Sequence, residues 1–350
     1  MSKVLTLGES LFRLSSQNGN RLSDATLLYL HYGGAEANVA INLSILGHDV
    51  AYATKLPENY DLNNNILQSL RRYCVDESQV IFGEGRLGSY YLEKGSGPRA
   101  TNVIYDRKYS AISMMDYLEW DLDELFADVS LFHITGITLA LSKNWNQLGL
   151  ELIKEAASRG IRVSFDMNFR QKLWSVADAR VIYNELLPYV SILSATERDA
   201  ITFMDIPVRD TNANEKNEPL LYADYERNWE YYSRKITEKY PNIQYVYGTN
   251  RHLLSPNSYD MFGYLYSSEA RRGVQSSIYA IHSVIDRVGT GDSYASGILD
   301  GLLRNESLED TVEFAMAACS LKHTIHGDIN AFSRQEITDF MESKGQNISR

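Results

Sequence analysis

The sequence predicts an α/β fold in which helices cover both faces of a central, mostly parallel sheet. Short β-rich runs alternate with helical patterns through most of the 350 residues. Each run closes on glycine or on polar residues, and a helical pattern separates it from the next run. This alternation is typical of right-handed βαβ units, which bring successive strands into one parallel sheet. Length alone allows one large domain or two.

The individual elements follow from the spacing of apolar residues in chain order. Residues 4–8 are predicted to form a strand, and residues 36–47 carry apolar side chains at helical spacing and stop at Gly47. Strand 50–56 and helix 64–73 repeat the same pattern. Further strands of the sheet are predicted at residues 130–136, 161–168, 190–197 and 243–250.

Polar residues close several of these predicted strands. Ligands of open parallel sheets bind outside the carboxyl ends of the strands, so these side chains are placed to reach one. A plain role as a helix cap stays open for Glu197. The polar residues concerned are Asp166, Asn168, Arg170 and Glu197.

Two stretches break the alternation. Residues 11–32 and 86–110 alternate apolar and polar side chains in the manner of half-exposed antiparallel strands. We expect the two stretches to pair into one small sheet that closes over the binding edge as a lid and excludes water. Residues 205–225 are polar, and we expect them to form a loop.

Composition excludes several classes of function. The net charge of −11, without a basic patch, argues against a nucleic-acid partner. Apolar runs are too short to span a bilayer, and the N-terminus lacks the apolar segment of a signal peptide. Cys74 and Cys319 lie far apart in apolar segments, which favours buried thiols in a reducing compartment. We therefore expect a cytoplasmic enzyme with no nucleic-acid or membrane partner.

The sequence DRVGTGDSYASGILDGLL at residues 286–303 predicts an anion site at the start of a helix. Gly289 and Gly291 leave the main chain bare, and the first N–H groups of a helix have no internal partner. Those groups lie at the positive end of the helix dipole. Asp292 would lie beside the bound anion, where its carboxylate can orient or deprotonate an attacking hydroxyl. This arrangement favours phosphoryl transfer, and the helix dipole predicts a depressed pKa for Asp292.

A second glycine motif, YGGAEANVAINLSILG, occupies residues 32–47. The adjacent Gly33 and Gly34 permit close approach of the backbone to a ligand. Asn38 can donate and accept hydrogen bonds near the start of the following helix. Taken alone this motif is weak evidence, since many such glycine pairs are simple turns. Together with the Gly-Thr-Gly-Asp turn it becomes informative.

These two motifs together resemble those of the PfkB/ribokinase family of carbohydrate kinases. The resemblance runs over essentially the whole chain, since GES at 8–10, FDMNFRQKLW at 165–174 and SATE at 194–197 also fall in family order. It implies a single ribokinase-like kinase domain over residues 1–350 that uses ATP and a divalent cation. It also implies that Asp292 is the catalytic base and that the amides around Gly289, Thr290 and Gly291 form the anion hole.

The resemblance also implies which residues hold the substrate. The lid segments SYYLEKG and VIYDRKYSA are similar to those of 2-keto-3-deoxygluconate kinases, whose tyrosines and arginine hold the acid. By that match Tyr91, Tyr105 and Arg107 face the substrate, with Arg170 as a second guanidinium for the carboxylate. Arg13 stands where kinases of neutral sugars commonly carry an aspartate. A solvent-facing position stays open for Arg13.

For the nucleotide, the resemblance points to the carboxyl half of the chain. It implies contacts from the two turn glycines and from four further residues. Glu197 would organise Mg²⁺ through water, since magnesium retains much of its hydration shell. Tyr247 stands where the family frequently has a lysine. The four further residues are Ser194, Gly248, Ala318 and Gly327.

The sequence thus predicts an ATP-dependent kinase of a sugar-acid hydroxyl, with 2-keto-3-deoxygluconate as the expected substrate. A fructokinase- or ribokinase-like kinase of a neutral sugar remains an alternative, and so does a sugar-binding sensor without turnover. A dinucleotide-dependent oxidoreductase is disfavoured because no Gly-x-Gly-x-x-Gly follows the first strand. The apolar, tyrosine-rich lid predicts a homodimer.

Overall fold

The fold is seen in a computed structural model, which describes residues 3–17, 19–95, 99–209, 222–255 and 257–343, with the backbone alone for 222–227. The strands are β1 (Lys3–Leu7), β2 (Leu11–Ser16), β3 (Leu28–Gly33), β4 (Val50–Pro57), β5 (Val80–Gly83), β6 (Gly88–Glu93), β7 (Asn102–Asp106), β8 (Val129–Thr135), β9 (Arg162–Asp166), β10 (Ile192–Ser194), β11 (Tyr245–Ser255), β12 (Ser258–Ser267), β13 (Arg272–Gln275) and β14 (Tyr279–His282). The helices are α1 (Ala35–Ile45), α2 (Asn63–Arg72), α3 (Leu122–Leu125), α4 (Gly136–Leu139), α5 (Lys143–Ser158), α6 (Val176–Leu186), α7 (Glu197–Met204), α8 (Tyr222–Lys239), α9 (Thr290–Arg304), α10 (Leu308–Lys322) and α11 (Arg334–Ser343).

The main sheet has the strand order β13-β12-β11-β10-β9-β8-β1-β4-β5, with β14 paired to β12. The seven neighbouring strands β11, β10, β9, β8, β1, β4 and β5 of this sheet all pair parallel. Strand β12 pairs antiparallel with β11, β13 and β14. The predicted mostly parallel sheet is therefore confirmed. The strand predicted at 243–250 continues to Ser255, because the chain turns back there into β12.

Helices flank both faces of this sheet, as predicted. Neighbouring side chains of β1 enter different cores: Val4 packs in a cluster with side chains of α1, α9 and α10, and Leu5 packs in a cluster with side chains of α5, α6 and α7. This alternation follows from the two-residue period of a strand. Gly297 of α9 lies against Ala315 of α10, so these two helices approach each other closely.

The second sheet has the strand order β3-β2-β6-β7, and it unites the two segments that were predicted to form a lid. Within each segment the strands form an antiparallel pair, β2 with β3 and β6 with β7. The central pair, β2 with β6, is parallel. The prediction of antiparallel strands throughout was therefore wrong at this pair, because each segment joins the sheet through its first strand and both strands run in the same direction.

The polar segment at 205–225 is described in part. Residues 205–209 are non-helical, residues 210–221 lie outside the described residues, and helix α8 begins at Tyr222. The predicted loop therefore ends earlier than expected. Within the ranges given above, no helix combines the length and the apolar character that crossing a membrane requires.

Candidate active site

A cavity of about 490 Å³ lies between the lid and the main sheet. Asp166, Ser194 and Gly248 line it from β9, β10 and β11, so it opens at the carboxyl ends of the parallel strands. Ligands are expected at this edge in open α/β sheets. The volume lies within the range of ordinary small-molecule sites. The cavity therefore occupies the predicted position.

The turn before α9 forms one wall of the cavity. Gly289 has a φ of 78°, and a β-carbon there would overlap the carbonyl oxygen of Asp328. Only glycine fits that position without displacing the backbone. Gly291 faces open space, and Thr290 begins the helix. The free N–H groups of this helix start are thereby available to an anion.

Asp292 is the third residue of α9, and its carboxylate lines the cavity. Its Oδ2 accepts a hydrogen bond of 2.7 Å from Nδ2 of Asn38, so the two glycine motifs meet at this carboxylate. The pKa of Asp292 is raised to about 7, mainly by burial and also by the charges of Asp166, Asp328 and Glu36, against the lowering effect of the Asn38 hydrogen bond. The predicted depression of this pKa was wrong, because desolvation outweighs the helix dipole here.

The amino-terminal glycine pair brings α1 to the cavity. Gly34 has a φ of 154°, and a β-carbon there would overlap the carbonyl oxygen of Glu9, while Gly33 lies against the Asp328 side chain. Glu36, fully buried in the first turn of α1, accepts hydrogen bonds from Thr135 at the end of β8. Asn38 is held at the cavity by this anchoring of the helix start.

The lid contributes an aromatic ring and a guanidinium. Tyr105 and Arg107 line the cavity, with the guanidinium carbon 5.8 Å from the ring centroid. Arg107 is 9% exposed and forms an ion pair with the carboxylate of Glu9. Lys172 donates a 2.7 Å hydrogen bond to the carbonyl of Val103, which ties the lid to the loop after β9.

Tyr91 does not line the cavity, and its neighbour Tyr90 does. Side chains alternate along a strand, so only one of the two adjacent tyrosines can face inward. Tyr90 lies directly opposite Tyr105 in the ladder, and its hydroxyl donates to Asp328 at 2.9 Å. Strand alternation relative to Tyr105 and Arg107, once the register is known, identifies Tyr90 as the inward residue.

Arg170 lines the same cavity from the loop after β9, with an exposed side chain. Asp166 lies at the start of this loop. Burial raises the pKa of Asp166 to about 6, while its hydrogen bond with Ser194 and the charge of Arg170 lower it. The structure therefore brings both predicted arginines, Arg107 and Arg170, to the cavity that contains Asp292.

Of the residues expected around the nucleotide, Ser194 and Gly248 line the cavity beside the Gly289–Gly291 turn. Ala318 does not reach it, because it is buried within α10, where its carbonyl accepts from Asn330. Gly327 lines a separate cavity behind the lid instead, and its N–H donates to Asp286.

Glu197 is the first residue of α7 and lies in a neighbouring cavity with Trp229 and Tyr264. That cavity shares Thr196 and Thr249 with the main one. Burial raises the pKa of Glu197, against the lowering effect of a hydrogen bond with Tyr232. Within the described residues no group of three or more potential ligands surrounds a metal position. A hydrated Mg²⁺ needs no such group, since water supplies most of its ligands.

Arg13 does not face solvent. Its side chain is 0% exposed and forms ion pairs with Asp286 and Asp328. The solvent-facing alternative was therefore wrong, because two carboxylates compensate the buried charge. Four further residues line the cavity although no sequence motif predicted this position for them: Glu9, Glu36, Tyr90 and Asp328.

A glycine-flanked carboxylate at a helix start, beneath a β lid and at the edge of a parallel sheet, defines a carbohydrate kinase of ribokinase-like fold. The chain belongs to the pfkB family of carbohydrate kinases, whose family model matches residues 1–218 and 263–335.

Three comparisons illustrate the similarity. The chain is 30% identical over 351 residues to a 2-dehydro-3-deoxygalactonokinase of Haloferax volcanii, covering 100% of this chain and 99% of that protein. A solved pfkB family carbohydrate kinase from Listeria grayi is 40% identical with a TM-score of 0.88, covering 97% and 99% of the two chains. A solved 2-dehydro-3-deoxygluconokinase from Thermotoga maritima is 33% identical with a TM-score of 0.88, covering 97% and 98%.

Proposed function

We propose that the protein transfers the γ-phosphoryl group of ATP to the terminal hydroxyl of 2-keto-3-deoxygluconate, giving 2-keto-3-deoxy-6-phosphogluconate. The observation that carries this proposal is the convergence of Arg107, Arg170 and Tyr105 on the cavity that contains Asp292. Planar guanidinium groups suit a carboxylate because they form paired, charge-assisted hydrogen bonds with it. Relatives named as kinases of 2-dehydro-3-deoxy sugar acids support this choice.

The residues divide the work of phosphoryl transfer. Asp292 accepts the proton of the 6-hydroxyl, whose oxygen then bonds to the γ-phosphorus while the bond from that phosphorus to the bridging oxygen of ADP breaks. The N–H groups of the Gly289–Gly291 turn stabilise the negative charge on the phosphoryl oxygens. A pKa of about 7 suits a group that must accept a proton near neutral pH.

The donor set fits ATP and magnesium. Ser194 and Gly248 line the cavity next to the anion-binding turn, and Glu197 lies beside it for a hydrated cation. When bound, ATP supplies the phosphoryl group and Mg²⁺ neutralises charge on the phosphates. Arg107 and the lid hold the acid and exclude water from the reacting centre.

A second candidate substrate is the galactonate epimer, favoured by the Haloferax volcanii relative. A neutral sugar leaves Arg107 and Arg170 without a carboxylate partner from the substrate. A sensor without turnover is disfavoured, because such a protein has no use for Asp292 held by Asn38 at an anion-binding turn.

The test is ATP consumption with magnesium on 2-keto-3-deoxygluconate, its galactonate epimer, fructose, ribose and a blank without sugar. Turnover restricted to the keto acids supports the proposal, and the ratio of their kcat/KM values chooses between the epimers. Turnover on fructose or ribose would overturn the assignment to an acid. Tight binding of one sugar without any turnover would favour the sensor.

A further inference from the structure

Arg13 is a fully buried charge that contacts neither the cavity nor solvent. It belongs to lid strand β2 and lies directly opposite Tyr90 of β6. Its side chain is 0% exposed, and it is not among the residues that line the cavity. An arginine in such a place is costly unless carboxylates and hydrogen bonds compensate it. Contact with the substrate cavity therefore does not explain why this charge is buried.

The guanidinium of Arg13 donates hydrogen bonds to one carboxylate from both of its terminal nitrogens, and it also contacts a second carboxylate. Nη2 lies 2.7 Å from Oδ2 of Asp286, and Nη1 lies 3.2 Å from Oδ1 of the same residue. Nη1 also lies 3.1 Å from Oδ1 of Asp328. A two-point contact of this kind fixes direction as well as distance, which a lysine ammonium does not achieve.

Asp286 fixes the backbone that leads into the anion-binding turn. Its Oδ1 accepts from the N–H of Val288 at 3.1 Å, immediately before Gly289. Its Oδ2 accepts from the N–H of Gly327 at 3.2 Å, in the loop that follows α10. Movement of the Asp286 carboxylate therefore moves the backbone that presents the N–H groups of the turn.

Asp328 reaches the same turn from the other side. Its carbonyl oxygen lies against Gly289, where a β-carbon would overlap it. Its carboxylate contacts Arg13 and accepts a hydrogen bond from the hydroxyl of Tyr90 in the lid. The two aspartates that pair with Arg13 thus both contact the backbone of the turn, and both are linked to strands of the lid.

We propose that Arg13 is a positioning residue that couples the lid to the anion-binding turn, so that the amides of Gly289–Gly291 take their phosphoryl-binding geometry only when β2 is seated. The two-point contact with Asp286 sets the entry of the turn, and the contact with Asp328 supports Gly289 from behind. Arg13 acts through these residues and touches neither sugar nor nucleotide. The inference rests on phosphoryl transfer at this turn, as in the proposed function, and is independent of which sugar is bound.

Two variants test the coupling from opposite sides. Arg13→Lys keeps the charge and removes the planar fork, and Asp286→Asn keeps the shape and removes the charge of the partner. The matched control is Arg304→Lys, the same substitution in an ion pair with buried Asp300 at the far end of α9. Thermal unfolding of all three variants checks that they are folded.

The measurements are kcat, the two KM values, and the affinities for ADP alone and for ADP with aluminium fluoride, a mimic of the transferring phosphoryl group. We expect both test variants to lose kcat by about 10- to 100-fold with KM values within about threefold, because only the transition state uses the turn geometry fully. Affinity for the aluminium fluoride complex falls in parallel, while affinity for ADP and all properties of Arg304→Lys stay near wild type.

A purely structural role gives a different result. If Arg13→Lys and Asp286→Asn lower the melting temperature and keep the kcat and the aluminium fluoride affinity of the wild type, the coupling is refuted. A rise in the KM for sugar at unchanged kcat likewise refutes it. Failure of the wild-type protein to turn over any sugar acid contradicts the proposed function instead, and the affinity for the aluminium fluoride complex still tests the coupling.

Discussion

The side-chain amide of Asn38 donates a hydrogen bond to the carboxylate of Asp292, with Nδ2 and Oδ2 2.7 Å apart. The two residues are separated by 254 positions in the chain. This contact stabilises the ionised form of a carboxylate whose pKa is raised by burial and by neighbouring carboxylates. Asn38 therefore moderates the proton affinity of the group that we propose as the proton acceptor in catalysis.

Substitution Asn38→Ala removes the donor, so we expect the pKa of Asp292 to rise and the acidic limb of the kcat/KM profile to move to higher pH. In the wild-type protein this limb should have an apparent pKa of about 7. The measurement is kcat/KM for the sugar from about pH 5 to pH 9 at saturating ATP. Asn42→Ala is the control, since Asn42 lies one turn further along α1 and accepts from the N–H of Asn330. An unmoved limb in Asn38→Ala would contradict this account of the pKa.

Substitution Asp292→Asn should lower kcat by about 100- to 10,000-fold, the usual range for loss of a general base. The KM values for sugar and ATP should change little, because the amide has nearly the shape of the carboxylate. Steady-state kinetics measure both effects. Asp310→Asn is a matched control at the third residue of α10, outside the cavity. An Asp292→Asn protein with near wild-type turnover would remove Asp292 from its assigned role.

The same substitution should stabilise the fold at alkaline pH. The pKa of Asp292 is about 7 in the folded protein, above the value of 3.8 for a free aspartate. The folded state therefore binds this proton more tightly than the unfolded state, and stability is lost as pH rises through the interval between the two values. Asp292→Asn lacks this loss. Its melting temperature should exceed that of the wild type by more at about pH 8 than at about pH 5. An equal difference at both pH values would contradict the raised pKa.

Substitution Arg107→Ala should raise the KM for the sugar acid by about tenfold or more and change the KM for ATP by less than about threefold. The reason is that Arg107 lines the cavity from the lid, where we propose that the sugar acid binds. Arg86→Ala serves as the control, because Arg86 pairs with Asp106 on the lid and does not line the cavity. Equal rises in both KM values would show that Arg107 does not recognise the acid.

The outer face of the lid predicts a homodimer. Leu14 of β2 lies directly between Leu30 and Tyr91 in the ladder, and Tyr91 lies opposite Ile104. Leu30 and Ile104 are 41% and 49% exposed, so this apolar row crosses the lid on the side away from the cavity. We propose that a second copy covers it.

Light scattering after size exclusion tests the dimer. We expect a dimer for the wild type. We expect a monomer for Leu30→Asp, because dimerisation would bury the introduced carboxylate without a partner of opposite charge. Leu253→Asp is the control, as Leu253 is also exposed but lies on β11. A monomeric wild type would reject the dimer.

The sequence predicted the architecture because local patterns carry it. The alternation of strands and helices gave the parallel sheet, and the two irregular segments gave the lid. The glycine motifs placed Asn38 and Asp292 on helices that begin at the cavity.

The remaining differences depend on register and burial, which one sequence does not display. The choice between Tyr90 and Tyr91 required the pairing of β6 with β7. The raised pKa of Asp292 depends first on its burial and then on the charges of Asp166 and Asp328, which lie far away in the sequence. The burial of Arg13 likewise depends on partners that no local pattern connects to it.

The ion pairs of Arg13 have a consequence for the order of events during synthesis. Arg13 and Asp286 are 273 residues apart, and Asp328 is made later still. A nascent chain that ends before residue 286 lacks both Asp286 and Asp328. Burial of the Arg13 charge on β2 is then uncompensated, so we expect this strand to stay exposed to water. Chains lengthen by about 5–20 residues per second, so this strand waits many seconds for its carboxylates. We therefore expect β2 to be among the last strands to reach its native environment, although it is translated long before Asp286 and Asp328.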